Sequence, residues 1–302
     1  MLTLKQMRYF DALAIAGHFG RAAELVNVSQ PALSAQIAEM ERELNLTLAE
    51  RSRGQPILTR EGEALLPKIR AILASVDQLY QDAQSATGVL EGRLRLGIIP
   101  TVAPYLVPVL IPVLRDRFPK LNVELKELMT QACLDEVRAG RLDCAIIALP
   151  RERHGLSSRH LFEDRFMIAS ADDDSTVLLS PVTEADVDME RLLLLEEGHC
   201  LRDQALAVCG ANAGRRVANY GATSMATLLQ MVSHGMGITL IPEIAVRDER
   251  SRNRMRIVPF ADPQPSRQIG MVWRDTNTTA NRDMTAFADV IVESAQPLLN
   301  AA

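Results

Sequence analysis

The sequence predicts an N-terminal all-α module containing a helix-turn-helix and a long helix, followed by a larger α/β domain. Three observations support this prediction. Residues 1–58 carry apolar side chains at helical spacing, including two helices joined by a tight connection. Residues 59–86 continue as one helix with a repeating apolar seam. From Arg93 onward, short apolar runs typical of strands alternate with helical segments, which predicts a mainly parallel sheet.

Length and charge restrict the class of protein. The 302 residues have room for about two or three domains. The net charge of −5 argues against a protein that coats nucleic acid, but not against a local DNA-binding module. The apolar run 106–114 is too short to span a membrane and contains two prolines. The charged N-terminal residues do not resemble a signal peptide. We therefore expect a soluble cytoplasmic protein without permanent disulfides.

The stretch 20–44 predicts two helices joined at about Asn27–Val28. Ser29 is a favourable N-cap for the second helix. Pro31 is tolerated in the first turn, because the N–H that proline lacks would have no partner within the helix. One face is apolar and should pack inward: Leu33, Ile37, Met40 and Leu44. The opposite face is short-chained and polar: Pro31, Ser34, Ala35 and Ala38, flanked by Gln30 and Gln36. A helix that reads DNA bases needs such small groups and amides, although an ordinary αα-hairpin remains the alternative.

The first module has little net charge to attract DNA. Residues 1–60 contain seven basic and six acidic side chains. Phosphate affinity must then come from individual contacts, for which Arg21, Arg51, Arg53 and the helix N-terminus at Ser29 are the candidates. Alanines on the outer face cannot make bidentate contacts with bases, so we expect readout to depend on DNA shape and thymine methyl groups.

The long helix is expected to begin after Thr59, which can cap it, and to reach about Ala86. Pro67 should kink it near its start. Its apolar seam has the alternating spacing of a helix that pairs with another helix: Leu65, Ile69, Ile72, Val76, Leu79 and Ala83. Packing of this seam against the protein's own body is the alternative. The polar stretch 84–92 is interpreted as a hinge.

The α/β region predicts strands and helices in alternation. The expected strands are 93–99, 121–128, 143–149, one near 166–170, 236–242 and 269–273. The expected helices are 102–118, 130–140, 225–235 after a cap at Thr223–Ser224, and a last one from about Asn281.

Two cysteines lie nine residues apart in EEGHCLRDQALAVC, residues 196–209. Cys200 is flanked by His199 and Arg202, and neighbouring positive charge stabilises the reactive thiolate. If the intervening run is helical, Cys200 and Cys209 are separated by about 13 Å along the axis and lie on opposite sides of it. A disulfide needs Cα atoms within about 7 Å, so bonding would require this segment to be remodelled. Two unrelated buried thiols remain the simpler interpretation.

Two stretches carry a family resemblance. Residues 196–209 resemble the redox-active segment of the OxyR branch of LysR-type transcriptional regulators, in both cysteines, their separation and the LRDQA run. Residues 22–41 resemble the DNA-binding motif of the same family and lie at the N-terminus, as that family requires. The resemblance implies a winged helix-turn-helix domain at 1–58, a linker and dimerisation helix with a hinge at 59–91, and a redox-sensing effector domain at 92–302. The effector domain would have two subdomains like those of periplasmic binding proteins.

The resemblance also implies a function. Hydrogen peroxide would oxidise Cys200, the peroxidatic residue, to a sulfenic acid, and Cys209 would resolve it as a disulfide. The protein would bind double-stranded promoter DNA as a homo-oligomer, a dimer of dimers, and control antioxidant genes. RNA polymerase and a thiol reductant such as a glutaredoxin would be its other partners. No cofactor, metal site or enzymatic turnover is expected.

Thr101 and Thr130 follow the first two predicted strands, where ligands gather in α/β sheets. Each is most simply a helix N-cap. The resemblance instead places them in a peroxide pocket, where their hydroxyls could stabilise the departing oxygen. Further candidates for this pocket or for support of the thiolate are His199, Arg202, Asp203, which could fix Arg202, Thr239 and Arg267. Purely structural roles remain open for these residues.

Other interpretations remain open at this point. A regulator could respond instead to a small anionic metabolite bound between the effector subdomains, and a thiol peroxidase is a third possibility. Cys133 and Cys144 are interpreted as core residues. Ala226 stands where the family pattern has an acidic residue, which leaves charge-based contacts of the oxidised state in doubt.

Overall fold

The chain forms two compact units, residues 1–86 with 138–141 and residues 87–137 with 142–302. The structure is a computed structural model. It describes residues 1–50, 57–84, 90–149, 155–174, 180–209, 221–252, 254–275 and 278–299.

The first unit is a winged helix-turn-helix with a long helix, as predicted. Its elements are α1 (Leu4–Ala16), α2 (Phe19–Leu25), α3 (Gln30–Leu44), β1 (Ala49–Glu50), β2 (Ile57–Leu58) and α4 (Arg60–Gln84). Helices α2 and α3 form the helix-turn-helix, and Asn27 supplies the left-handed residue of the tight turn (φ 54°). Strands β1 and β2 pair antiparallel as the wing.

Side chains cap the N-termini of α1 and α4 in this unit, whereas the expected cap of α3 makes no capping hydrogen bond. Thr3 and Gln6 form a capping box on α1. Thr59 accepts a hydrogen bond from the Gly62 N–H at 3.0 Å, which confirms it as the cap of α4. Ser29 occupies the N-cap position of α3, but its hydroxyl makes no capping bond and the residue is exposed.

The inward face of α3 is confirmed. Leu33 and Ile37 pack with residues of α1 and α2, and Met40 packs with Phe10 and Leu48. All of these side chains are buried, because the period of α3 turns one apolar stripe toward the other helices.

Gly62 lies where the first turn of α4 crosses the backbone of Leu48. A Cβ at this position would overlap the Leu48 carbonyl group. Alanine normally stabilises a helix relative to glycine by about 1 kcal/mol. Here we expect Gly62→Ala to lower the free energy of unfolding by about 1–3 kcal/mol, because the backbone must move to relieve the overlap.

Urea unfolding of the full-length protein, followed by helical circular dichroism, measures the Gly62→Ala effect. Glu63→Ala is the matched control, since Glu63 is exposed on the same turn and should change stability by less than about 0.5 kcal/mol. A Gly62→Ala protein as stable as the parent would contradict the predicted overlap.

The second unit is an α/β domain. Its strands are β3 (Gly92–Ile98), β4 (Leu121–Glu127), β5 (Cys144–Ala148), β6 (Leu156–Ala171), β7 (Leu194–Leu195), β8 (Gly221–Ala222), β9 (Thr239–Pro242), β10 (Met255–Pro259) and β11 (Ser266–Arg274). Its helices are α5 (Ala103–Arg117), α6 (Thr130–Arg138), α7 (Cys200–Val208), α8 (Met225–Ser233), α9 (Glu243–Arg252) and α10 (Thr278–Leu299). Ser224 caps α8 by accepting from the Thr227 N–H, as predicted.

The prediction of a mainly parallel sheet is wrong. The main sheet has the order β10-β6-β11-β5-β3-β4, with β9 also on β6. Among the strands of this sheet that the structure describes, β3 pairs parallel with β4 and β5, whereas β6 is antiparallel to β9, β10 and β11, and β11 is antiparallel to β5. The error lies in β6, of which only residues near 166–170 were predicted and which makes three of the four antiparallel pairings that the structure describes in this sheet. Its residues 156–165 pair with β11 and its residues 166–171 pair with β9 and β10, so that one strand joins two subdomains.

Candidate thiol site

Cys200 and Cys209 lie at the two ends of α7. The helix begins at Cys200 and ends at Val208, with Cys209 as its C-cap. Helix geometry then separates the two residues by about 13 Å along the axis and about half a turn around it. Both cysteines are free. Because a disulfide needs Cα atoms within about 7 Å, these sulfurs cannot join while α7 stays intact.

The two thiols have different environments. Cys200 is half-buried, whereas Cys209 is only 5% exposed. Burial raises the pKa of the Cys209 thiol to about 11, and the Glu184 carboxylate adds to this effect. Since the thiolate is the reactive form, Cys209 is protected from thiol reagents in this conformation.

Alkylation should reveal the burial and the raised pKa of Cys209. We expect iodoacetamide to label Cys209 very slowly at neutral pH, and the rate to rise about tenfold per pH unit up to the pKa of about 11. Peptide mass spectrometry of the reduced protein after timed labelling measures each site. In urea-unfolded protein, which is the control, both cysteines should react at similar rates. Equal rates in the folded protein would contradict the burial of Cys209.

The other two cysteines are core residues, as predicted. Cys144 lies on β5 and Cys133 on α6, and both are fully buried. Burial raises the pKa of Cys144 well above its usual value. Burial raises the pKa of Cys133 to about 12, with smaller contributions from Glu136 and from Cys200. Cys200 packs against the same hydrophobic core as Cys133 of α6, the helix that carries Thr130.

Neither threonine is an N-cap, so that interpretation is wrong for both. Val102, not Thr101, occupies the N-cap position of α5. Thr130 is already the first residue of α6, and its hydroxyl oxygen is buried without a hydrogen-bond partner in the part of the chain that the structure describes. A buried hydroxyl without a partner lowers stability by about 1–3 kcal/mol, and this one has its hydrogen-bonding capacity available for a ligand or a water molecule.

The two threonines follow neighbouring strands at the same edge of the sheet. In the parallel pair of β3 and β4, Ile98 lies opposite Glu127. The Leu128 N–H donates to the Ile98 carbonyl oxygen at 3.0 Å, which extends the pairing to the strand ends. Thr101 and Thr130 begin the connections from these ends, in the position where α/β sheets hold their ligands.

Arg267 ties Thr101 to a buried carboxylate. Its Nη1 donates to Thr101 Oγ1 at 2.8 Å, and its Nε and Nη2 lie 2.9 and 2.8 Å from Asp164 Oδ2. Burial raises the pKa of the Asp164 carboxyl, while Arg267 and backbone N–H groups of α9 act in the opposite direction. The sequence did not single out Asp164, because no local pattern reveals a partner 103 positions away.

Two of the remaining candidates, Thr239 and Arg202, donate to backbone carbonyl oxygens. Thr239 is buried and donates to the Leu193 carbonyl oxygen at 2.8 Å, which joins β9 to the segment before β7. Arg202 donates to the Leu195 carbonyl oxygen at 3.0 Å. No bond between Arg202 and Asp203 is found among the described residues. His199 is buried at the N-cap position of α7, directly before Cys200.

Comparison with known proteins identifies the family. Residues 4–63 match the bacterial regulatory helix-turn-helix proteins of the lysR family, and residues 87–296 match the LysR substrate binding domain. The chain is 39% identical to the DNA-binding transcriptional dual regulator OxyR of Escherichia coli (strain K12), over 93% of this chain and 92% of that protein. It is 38% identical to a hydrogen peroxide-inducible genes activator of Dickeya chrysanthemi, over 98% and 96% of the two chains.

The chain belongs to the OxyR branch of the LysR family.

Solved OxyR structures share its fold. A full-length Pseudomonas aeruginosa OxyR with a cysteine-to-aspartate substitution matches with a TM-score of 0.77 and 32% identity, over 96% of this chain and 98% of the other. A Corynebacterium glutamicum OxyR with a cysteine-to-serine substitution, bound to H₂O₂, matches with a TM-score of 0.65 and 33% identity, over 98% and 95%. The effector part of this LysR-family chain is accordingly a two-subdomain, periplasmic-binding-protein-like domain.

The outer face of α3 in this LysR-family chain is available to a partner. The exposed candidates are Arg21 on α2, the N-cap Ser29, and Gln30, Pro31 and Ala35 on α3, and the partly exposed ones are Ser34, Gln36 and Ala38. Arg51 and Arg53 lie outside the described residues. The face therefore has the small and amide-bearing surface that the sequence predicted.

The two ends of the apolar seam of α4 differ in burial. Leu65 and Ile69 pack against the first unit's own core, which agrees with the alternative for this end of the helix. Ile72 and Leu79 are 43% and 67% exposed, and Val76 is partly exposed. The side chain of Ala83 lies outside the described part. Ile72, Val76 and Leu79 thus present apolar side chains that the single chain leaves at least partly exposed.

Within the described residues, no group of three or more His, Cys, Asp or Glu side chains is arranged to hold a metal ion. None of the described helices combines the length and the apolar character that crossing a membrane requires.

Proposed function

We propose that this protein is a sequence-specific DNA-binding regulator that senses hydrogen peroxide by reversible formation of a Cys200–Cys209 disulfide. The observation that carries the proposal is the placement of two free thiols at opposite ends of one short helix. One thiol is half-buried, whereas the other is buried with a raised pKa. The OxyR relatives named as hydrogen peroxide-inducible activators support the same conclusion.

The proposed chemistry consumes one peroxide per disulfide. The Cys200 thiolate attacks one peroxide oxygen, an S–O bond forms, the O–O bond breaks, and the departing oxygen takes up a proton to leave as water. The Cys209 sulfur then attacks the sulfenic sulfur, so that an S–S bond replaces the S–O bond and a second water leaves. A thiol reductant, such as a glutaredoxin, would reverse the bond.

Disulfide formation would couple oxidation to conformation. The thiols can meet only if α7 unwinds, which would withdraw Leu201 and Ala205 from the core that they now occupy. A disulfide that closes a loop of about ten residues is worth roughly 3 kcal/mol in the chain-entropy model. That energy could shift a two-state equilibrium about a hundredfold.

The output would be a change in how paired DNA-binding units sit on a promoter. The exposed face of α3 supports insertion into the major groove, with Arg21 and the α3 N-terminus at the phosphates. The uncovered apolar side chains of Ile72 and Leu79 support pairing of α4 with a second copy, and we propose a dimer of dimers. RNA polymerase would be the partner at the promoter. We propose a DNA-binding domain at residues 1–58, a linker and dimerisation helix with a hinge at 59–91, and an effector domain at 92–302.

Non-reducing tryptic mapping tests the disulfide directly. Trypsin cleaves after Arg202, so Cys200 and Cys209 fall in separate peptides unless they are bonded. We expect one linked pair after treatment with stoichiometric peroxide, and its loss after reduction. The untreated protein is the control. Absence of the linked pair in peroxide-treated protein would refute the proposal.

Peroxide consumption separates a sensor from an enzyme. A sensor should consume about one peroxide per chain and then stop until a specific reductant resets it. Sustained turnover with a small thiol, far beyond one equivalent, would indicate a thiol peroxidase instead.

A further inference from the structure

We propose that Asp164 is a positioning residue of the peroxide site, which holds Arg267 so that the Thr101 hydroxyl accepts from Arg267 and directs its own hydrogen to the departing peroxide oxygen. This proposal rests on the proposed function. It adds Asp164, which lies on β6 opposite Arg267 of β11 and does not itself touch the reacting atoms.

The Asp164 carboxylate is held on both of its oxygens. Its Oδ2 accepts from Nε and Nη2 of Arg267, at 2.9 and 2.8 Å. Its Oδ1 accepts from the Ile244 N–H at 3.0 Å, and the Glu243 backbone also donates to the carboxylate. Asp164 and Arg267 are moreover directly opposite each other in the β6–β11 register. The carboxylate therefore has a single orientation, fixed by the N-terminus of α9 and by the sheet.

Arg267 transmits this orientation to Thr101. Its guanidinium is fully buried, and it binds Thr101 at two atoms, Oγ1 at 2.8 Å and the carbonyl oxygen at 3.3 Å. A guanidinium donates hydrogen bonds and cannot accept them. Thr101 Oγ1 must then be the acceptor in this bond, which leaves its one hydrogen to be donated elsewhere.

A hydroxyl held in this way suits the reaction. When the Cys200 thiolate attacks peroxide, the O–O bond breaks and the electron pair goes to the departing oxygen. A preoriented donor stabilises the charge that develops there. Cys200 packs against the hydrophobic core that contains Val102, the neighbour of Thr101, and Cys133 of α6. The first residue of α6 follows the sheet edge shared with Thr101. Thr130, with its unpartnered hydroxyl, begins that helix.

Stability alone does not account for the Asp164–Arg267 pair. Replacing a buried ion pair by apolar residues of similar volume is often neutral or stabilising. The second carboxylate nearby, Glu243, interacts with the charge and the backbone of Arg165 and with the Asp164 carboxylate. The carboxylate that binds the Arg267 guanidinium is that of Asp164. Asp164 is thus the group that determines where the Arg267 guanidinium points.

Asp164→Asn in the full-length protein tests the assignment. Two rates are measured at Cys200, oxidation by hydrogen peroxide and alkylation by iodoacetamide. Alkylation depends on the thiolate and its access but needs no hydrogen-bond donor for a departing oxygen. We expect the peroxide rate to fall about tenfold to a hundredfold, while the alkylation rate changes less than about twofold. An unchanged peroxide rate, or an equal fall in both rates, would overturn the proposal.

A double-mutant cycle with Thr101→Val tests the route through Thr101. If Asp164 acts through Thr101, Asp164→Asn should cause no further loss of peroxide rate in the Thr101→Val protein. If the two substitutions lowered the peroxide rate by factors that multiply in the double variant, Asp164 would not act through Thr101, and the proposal would be overturned. Asp143→Asn is the matched control, because Asp143 forms an ion pair with Arg95 elsewhere in the same unit, and both rates should stay at the parent values.

Arg267→Lys keeps the inference testable if Asp164→Asn fails to fold. Lysine retains the charge opposite Asp164 but lacks the fork that holds Asp164 and Thr101 together. The same selective loss of peroxide rate is expected, and an unchanged rate would overturn the inference. Failure of the proposed function is distinguishable, since the parent's Cys200 would then not react with peroxide at all.

Discussion

Replacing Cys200 with serine is expected to abolish the transcriptional response to hydrogen peroxide. A serine hydroxyl is not ionised at neutral pH and cannot form a sulfenic acid, so the first step is lost. A reporter gene under a peroxide-responsive promoter, in a strain whose own regulator is deleted, measures the response. Cys209→Ser should also lose the lasting response, because Cys200 can still be oxidised but no disulfide holds the new conformation.

Cys144→Ala and Cys133→Ala are the matched controls. Both residues are fully buried, and burial raises the pKa of each thiol far above neutral pH. Neither thiol should take part in the response, so both variants should respond like the parent. A Cys200→Ser protein that still responded fully would show that the signal is not thiol oxidation at this position.

Replacing Arg267 with methionine is expected to lower the free energy of unfolding by about 3–5 kcal/mol. Arg267 and Asp164 have side chains only 1% and 0% exposed, so the change leaves a buried carboxylate without its cation. Thermal or urea unfolding of the reduced full-length protein measures the loss. Arg93→Met is the matched control. It removes a surface partner of Glu124, which should contribute about 0–1 kcal/mol.

The loss in Arg267→Met should depend on pH with a defined sign. Burial raises the pKa of Asp164 above its ordinary value of 3.8, and removing Arg267 removes an effect that lowers it. The folded variant therefore binds a proton that the unfolded chain releases at lower pH. Its stability is retained below the unfolded pKa and is lost as the pH rises through the folded pKa. A loss that grew toward acid pH would contradict this account.

Local patterns in the sequence predicted most of the secondary structure. The spacing of apolar residues identified α3 and its inward face, and the long run after Thr59 identified α4. The run between Cys200 and Cys209 contains good helix formers and no Gly or Pro, which predicted α7 and hence the separation of the thiols. These features depend on residues within a few positions of each other, so a single stretch of chain contains the information.

The pocket could be predicted only in part. Thr101 and Arg267 were candidates through family resemblance, and the structure places a hydrogen bond between them at 2.8 Å. Asp164 was missed altogether. The N-cap interpretation of Thr101 and Thr130 failed because helix starts are uncertain by one or two residues in sequence, and that margin decides which residue is the cap.

The sequence by itself determined the helix-turn-helix, the long helix and the distance that keeps Cys200 from Cys209, because helical periodicity and propensity are local. The tertiary structure alone decided the antiparallel course of β6 and β11, and with it the meeting of Asp164, Arg267 and Thr101. Those contacts join residues 103 and 166 positions apart in the chain. They exist because the register of two distant strands sets one side chain opposite the other, and no local pattern encodes that register.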